Sequence, residues 1–251
     1  MLNVSSGPVT RITLNRPEVR NAFNDQLITK LADAFAAITK ETRAVVISGE
    51  GEVFCSGGDL EWMRKAADYT HEENQRDAMR LARLFRAIAD CPAVVIARVT
   101  GAAFGGGCGL VAASDIAIAS EESKFAFSEV RLGLIPATIS PFVIPKIGTG
   151  HARALFATGE AFSAEHAFRI GLVHEVVTRE QLDEAVNRKL KAIFSAGQEA
   201  IQQAKRLVKD HPITLDDAAR RLADARAGKE GKEGVAAFLE KRKASFVADV
   251  G

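Results

Sequence analysis

Gly101-Ala102-Ala103-Phe104-Gly105-Gly106-Gly107-Cys108-Gly109 and, before it, Phe54-Cys55-Ser56-Gly57-Gly58-Asp59-Leu60 are the two stretches from which the architecture of this chain follows. Each stretch follows a β-branched run, Ala93 to Thr100 and Ala44 to Ser48 respectively, so each lies where a strand ends and a turn opens towards a helix. Glycine in such turns permits positive φ and leaves the backbone amides uncovered. If the two loops face one spot, their N–H groups form an oxyanion hole, a pair of donors for an oxygen that gains negative charge during reaction. Taken singly, either cluster reads as a tight turn, since glycine punctuates turns everywhere.

Outward from these loops the pattern is of strands alternating with helices. Val9 to Asn15 reads as a strand broken by Pro17, and Asp25 to Lys40 as a helix with Leu27, Leu31, Phe35 and Ile38 at helical spacing. After the strand Ala44 to Ser48 and the first cluster, the polar stretch Glu61 to Asn74 is expected to be a mobile loop, joined to a helix from Glu72 to Ala89. A strand from Ala93 to Val99 leads to the second cluster. Gly107 to Ser114 reads as a short buried helix, followed by strands at Asp115 to Ala119 and Ser123 to Glu129. From Ile139 onward the pattern is nearly all helical, apart from an apolar run at Leu172 to Val177. These units predict an α/β fold of repeated supersecondary elements, with residues 1–195 as its core and 196–251 as a C-terminal helical region.

Composition narrows the function classes. The 251 residues are 47% hydrophobic and 26% charged, ordinary for a globular protein, and the net charge of +1 argues against a nucleic-acid or acidic-membrane partner. Cys55, Cys91 and Cys108 are an odd set at no zinc-like spacing, which points to a reducing compartment without structural disulfides. The opening residues lack the pattern of a signal peptide, so a cytoplasmic, unprocessed chain is expected. The five histidines show no metal spacing, and no metal or cofactor is implied.

One carboxylate stands out. In Lys124-Phe125-Ala126-Phe127-Ser128-Glu129 a two-residue period puts Glu129 on the face carrying Phe125 and Phe127. Burial among apolar side chains raises a carboxyl pKa towards neutrality, as suits a general acid or base. The alternative is a strand end at which Glu129 turns to solvent or pairs with Arg131.

Five ordered segments resemble the crotonase superfamily, the enoyl-CoA hydratases and isomerases. They are Leu14-Asn15-Arg16-Pro17 with Asn21-Ala22-Phe23, Gly49 to Leu60, Gly101 to Leu110, Phe127 to Pro136, and Ala237 to Lys243. The resemblance implies a spiral of ββα units, a C-terminal helical region that completes homotrimers or homohexamers, and a coenzyme A thioester as substrate. It implies Gly58 and Gly106 as the oxyanion amides and Glu129 as the catalytic carboxylate, with Ala22, Ser56, Asp59, Leu60 and Gly109 lining the substrate site. Ordinary hydratases of the family hold water between two glutamates, one at the position of Gly109 and one at that of Glu129, so here the first is missing. Family isomerases typically keep only the second. The combination of segments is nonetheless most similar to a bacterial branch of methylglutaconyl-CoA hydratases, in which the first glutamate is also absent. Hydration of 3-methylglutaconyl-CoA in leucine breakdown is therefore the expected activity, with Δ3-Δ2 isomerisation and a non-catalytic acyl-CoA-binding role as alternatives. The substrate's distal carboxylate is expected to occupy the space left at Gly109 and help to position water, with Arg131 or Lys146 as its cation.

Other basic residues carry weaker expectations. Arg16, Arg20 and the terminal Lys241-Arg242-Lys243 are candidates for the CoA phosphates. Arg76, Arg80, Arg83 and Arg86 share one helical stripe. An animal relative in the family binds RNA through a basic helix, which makes RNA binding a reading from another class; the acids Asp77 and Asp90 favour a plain solvated face. Cys55 and Cys108 read as small packing residues.

Overall fold

The parallel strands Ala44–Gly49, Val94–Val99 and Ile116–Ser120 are apolar along nearly their whole length because both of their faces are covered, and this sets the architecture. The computed structural model describes residues 1–250. β1 (Leu2–Ser5) and β2 (Val9–Leu14) precede a 3-10 turn at Pro17–Val19, α1 (Asp25–Ala36), β3 (Ala44–Gly49), α2 (Leu60–Ala66) and α3 (His71–Ala89). Next come β4 (Val94–Val99), β5 (Ala102–Phe104), α4 (Gly106–Ala113), β6 (Ile116–Ser120), β7 (Lys124–Ala126) and a 3-10 turn at Ser128–Leu132. α5 (Ser140–Thr158), β8 (Ala161–Ser163), α6 (Ala164–Arg169), β9 (Glu175–Val177) and α7 (Leu182–Ser195) follow, then α8 (Gln198–Asp210), α9 (Leu215–Ala227) and α10 (Lys229–Leu239).

A six-stranded sheet has the order β1-β2-β3-β4-β6-β9, with β1 antiparallel to β2 and the others parallel. A second sheet, β5-β7-β8, is continued by the isolated parallel bridges Cys55–Ala103 and Phe23–Gly58. Each turn of chain thus adds a strand to the large sheet, a short extended piece to the small one, and a helix. This is the expected spiral of ββα units. Phe54, Phe85, Phe125, Phe127, Leu31 and Val95 are among the fully buried side chains of the core between these layers.

Three expectations are corrected. Glu61 to Asn74 is no loop: α2 is capped by the Asp59 carboxylate, which accepts the N–H groups of Glu61 and Trp62, and α3 starts on a reciprocal Thr70–Glu73 capping box. Periodicity misses α2 because seven residues, three of them charged, span barely two turns and are too few to establish a helical repeat. α1 stops at Ala36 rather than Lys40, where Ile38 N–H turns back to Phe35 O and the Thr39 hydroxyl accepts Glu41 N–H in place of a helical bond. The strand expected over Ser123 to Glu129 ends at Ala126, because Ala126 is paired with Phe104 and the next residue along, Gly105, swings away into α4. The alternation argument for Glu129 therefore fails beyond Ala126. β8 carries no signal in the sequence pattern.

The chain forms two compact units, Met1–Val186 and a second beginning at Asn187. Within the second, the Glu230 carboxylate caps α8 by accepting Glu199 N–H and Ala200 N–H, and Arg242 is bound bidentately to Glu233. α10 leaves Val235, Phe238 and Leu239 exposed, and Lys241, at positive φ, is exposed as well. Among the described residues, no helix is long and apolar enough to cross a membrane.

Candidate active site

The two glycine turns meet in the first unit. Gly57 (φ 94°) and Gly105 (φ 49°) adopt conformations that a side chain disfavours, and each backs onto the other's loop. A Cβ on Gly57 would stand 3.1 Å from Phe104 O, and one on Gly105 would stand 4.0 Å from Gly57 Cα. Gly57 N–H is directed at the Cys55 sulfur. Phe23 brackets the next residue: its N–H donates to Gly57 O at 2.7 Å and its C=O accepts Asp59 N–H at 2.8 Å. That leaves the Gly58 N–H, on an exposed residue, with no acceptor among the described residues. Gly106 occupies the first position of α4, and its N–H likewise has no acceptor among them, as is usual in the first turn of a helix. The helix dipole favours negative charge there.

Glu129 lies against this junction. A Cβ on Gly105 would be 3.3 Å from Glu129 Oε1. The other oxygen, Oε2, is buried and has no hydrogen-bond partner. Burial raises the Glu129 pKa above the ordinary carboxylate value, offset in part by its own N–H. Among the described residues no ion pair joins it to Arg131, and although the residue as a whole is half-buried, Oε2 is shielded from solvent. The 3-10 turn at Ser128–Leu132, not a strand, aims this side chain. The grouping thus brings two adjoining turns, each with a backbone N–H that has no acceptor among the described residues, next to a carboxylate of raised pKa.

Gly109 is not next to a vacancy. A Cβ there would meet Ile139 Cγ2 at 2.5 Å and Phe85 Cζ and Cε1 at 2.6 and 2.8 Å. The space expected for a distal substrate carboxylate is filled by these two apolar side chains, because α5 brings Ile139 and α3 brings Phe85 onto α4. Lys146 also lies elsewhere than expected. Its Nζ donates to Ser114 O at 2.5 Å and reaches Val111 O at 3.5 Å, closing the C-terminal end of α4, away from Gly106 at the start of that helix. Burial pulls its pKa down to about 8, against the attraction of Asp115.

Among the remaining candidates, Arg16 is engaged within the chain: its guanidinium donates to Ala22 O at 2.6 Å and to Asp59 Oδ2 at 2.7 Å. Burial pushes the Asp59 carboxyl up, but Arg16 and the Glu61 and Trp62 N–H groups together hold it below its ordinary value. Arg20 is exposed, Ala22 is buried, Ser56 is half-buried, and Leu60 is 81% exposed. In the arginine stripe, Arg80 pairs with Asp25 and Asp77, and Arg86 with Asp90. The thiol of Cys55 is pushed up to about 12 by burial and that of Cys108 is raised too, which suits packing and not nucleophilic attack.

Several further residues shape the site, some inside the family-like segments and some outside them. Met63 and Trp62 stand over Gly58, 3.3 and 3.4 Å from the point where its Cβ would be, and the Phe23 ring lies 2.9 Å from that of Gly106. Phe23, Phe85 and Phe142 form successive edge contacts beneath α4, with ring centroids 6.3 and 6.1 Å apart. Asn21, at positive φ, pins the first turn by donating to Glu50 O and Val53 O. The Asn21-Ala22-Phe23 segment is visible as a likeness, but its partners are distant in sequence.

A sequence profile of the family described as enoyl-CoA hydratase/isomerase matches residues 5–249. The crotonyl-CoA hydratase of Syntrophomonas wolfei is 35% identical over 244 residues, covering 94% of this chain and 93% of that protein. Among solved structures, an enoyl-CoA hydratase from Shewanella pealeana superimposes with a TM-score of 0.92 at 36% identity, covering 97% of this chain and 95% of that one. Pseudomonas aeruginosa AtuE superimposes with a TM-score of 0.94 at 35% identity, over 98% and 99% of the two chains.

Proposed function

The chain belongs to the enoyl-CoA hydratase/isomerase family, and from that premise we propose that it adds water across the double bond of a branched 2-enoyl-CoA thioester, 3-methylglutaconyl-CoA or a similar acyl group, with Glu129 as its single carboxylate. The observation that carries this reading is the buried, unpartnered Glu129 Oε2 beside two turns whose Gly58 and Gly106 N–H groups have no acceptor among the described residues. The thioester oxygen accepts both N–H groups. Glu129 takes a proton from water as the water oxygen bonds to C3, and the double-bond electrons pass into the thioester to give an enolate. Protonated Glu129 then delivers its proton to C2, which restores the carboxylate and the C=O. Two preorganised donors lower the barrier because the oxygen's charge develops only in the transition state; losing one such donor costs about 10²–10³-fold in other enzymes.

Δ3-Δ2 isomerisation is the second reading, favoured by the apolar filling at Gly109, which leaves no second carboxylate to hold water. There Glu129 takes a proton from C2, giving a dienolate whose oxygen the same two N–H groups hold, and returns it to C4 as the double bond moves to C2–C3. Arg20 and Arg131 are the proposed cations for the substrate's charged groups. The exposed apolar side chains of α10 support a homotrimer or homohexamer. The burial of all three cysteines as thiols supports a reducing, cytoplasmic setting.

The test is product analysis by mass spectrometry after incubation with 3-methylglutaconyl-CoA, crotonyl-CoA and a 3-enoyl-CoA. A gain of one water, largest with 3-methylglutaconyl-CoA and lost in Glu129→Gln, is expected. Conversion of the 3-enoyl thioester without mass gain, and no hydration, replaces hydratase by isomerase. Turnover that survives in Glu129→Gln removes Glu129 from the mechanism.

A further inference from the structure

The oxyanion turn is held by a charge pair that the proposed chemistry does not use. Arg16 and Asp59 bury their side chains to 12% and 10% exposure, so the pair is largely shielded from water. The Arg16 fork donates in two directions, to Ala22 O and to Asp59 Oδ2. Those two residues stand immediately outside the Phe23–Gly58 bridge, one on each strand of it. Asp59 is itself held on its other oxygen by the first N–H groups of α2. The Arg16 N–H is tied to Asn21 Oδ1 at 2.8 Å, which fixes the arginine's own backbone.

The peptide between Gly57 and Gly58 shows what the clamp controls. Its carbonyl, Gly57 O, accepts Phe23 N–H, and its N–H is that of Gly58. In a planar trans peptide these two groups point in opposite directions, so holding the carbonyl on Phe23 aims the N–H away from Phe23. Two consecutive glycines make this peptide the one freest to rotate in the turn. A guanidinium grips both strands at once because its donors lie in a rigid planar fork, which a lysine ammonium lacks.

We infer that Arg16 is a positioning residue: by tying Ala22 to Asp59 across the Phe23–Gly58 bridge, it keeps the Gly57–Gly58 peptide in the orientation that presents the Gly58 N–H to the thioester oxygen. The inference rests on the oxyanion role proposed for Gly58. It also replaces the expectation that Arg16 binds the CoA phosphates, since that guanidinium is already committed inside the chain.

The experiment compares Arg16→Met, Arg16→Lys and Asp59→Asn with the unaltered enzyme on two substrates carrying the same enoyl group, the CoA thioester and its phosphate-free N-acetylcysteamine thioester. The expected result is a fall in kcat of about 10- to 100-fold in Arg16→Met on both substrates, part of the loss seen on deleting an oxyanion donor, with KM altered less than about threefold. Asp59→Asn should fall in the same direction, and the double variant no further than the worse single one, as for residues acting as a unit. A loss confined to KM of the CoA thioester and absent with the phosphate-free substrate would return Arg16 to phosphate binding and overturn the inference. Hydrogen exchange gives a readout independent of turnover: the segment spanning residues 55–62 should exchange faster in Arg16→Met, measured below its unfolding transition. Unchanged exchange there overturns the clamp. If the unaltered protein turns over no enoyl thioester, the proposed function fails, and the exchange comparison alone still decides the clamp. Should Arg16→Met not fold, Arg16→Lys and Asp59→Asn carry both measurements.

Discussion

Restoring the missing carboxylate by Gly109→Glu should unfold the protein and not make it a better hydratase. The new Cβ would lie 2.5 Å from Ile139 Cγ2 and 2.6 and 2.8 Å from two Phe85 ring carbons. Carbon contacts are comfortable at about 3.5–4.0 Å, so each neighbour must retreat by roughly 1 Å. Overpacking of this kind costs about 1–3 kcal/mol. A carboxyl group placed among apolar side chains without a partner adds several kcal/mol more. Replacing a helical glycine returns only about 1 kcal/mol. The sum is on the order of 5 kcal/mol, comparable with the whole stability of an ordinary domain. Gly109→Ala isolates the steric part and should lose up to about 2 kcal/mol, with Tm falling by roughly 2–4 °C for each kcal/mol. Thermal unfolding followed by circular dichroism, paired with crotonyl-CoA hydration followed by absorbance, tests both variants. In a double-mutant cycle, Phe85→Ala should be less damaging when combined with Gly109→Glu than in the unaltered protein, because the ring it removes is the obstacle. The reasoning is refuted if Gly109→Glu melts within a few degrees of the unaltered protein and hydrates crotonyl-CoA faster.

Two further predictions concern protons. Burial raises the Glu129 pKa, so activity should climb with pH along a limb whose midpoint lies above the ordinary carboxylate value, and a pH–rate profile measures it. The same shift means that the folded state binds a proton more readily than the unfolded chain. Stability therefore falls as pH rises from the unfolded to the folded pKa of this group, and Glu129→Gln should melt above the unaltered protein at pH 7, the gap closing in acid. Lys146 has the opposite sign of dependence. With a folded pKa of about 8 against an ordinary 10.5, the unfolded chain holds the extra proton between those values. Its contribution should raise stability with pH over that window by up to about 3 kcal/mol. Urea unfolding at several pH values should show this rise in the unaltered protein and not in Lys146→Met; parallel slopes would refute it.

Much of the fold is legible in the amino-acid sequence. The glycine clusters, the β-branched runs before them and the ordered segments around Arg16, Gly58, Gly106 and Glu129 specify strand, turn and helix locally, and their order along the chain points to the family. Glycine at Gly57 and Gly105 is a local signal because positive φ is a property of one residue's own backbone. The capping box of α3 is equally local, although hydrophobic periodicity does not report it, while α2 is too short for a repeat to show.

The amino-acid order alone establishes which groups exist: two glycine-rich turns with their amides, one carboxylate near an apolar strand, and no second one at position 109. Packing decides what stands beside each of them. Glu129 is aimed by a 3-10 turn that begins where β7 runs out of partners. Gly109 is walled by Phe85 and Ile139. Arg16 is spent on Ala22 and Asp59, and Lys146 closes the far end of α4. Each of these outcomes depends on a contact between residues far apart in sequence, whereas propensity, spacing and glycine usage report only on the few residues around them. An arginine looks the same in a one-dimensional pattern whether its guanidinium faces a phosphate or a buried carboxylate; the packing of the ββα spiral brings Asp59 across to Arg16, and that decides it.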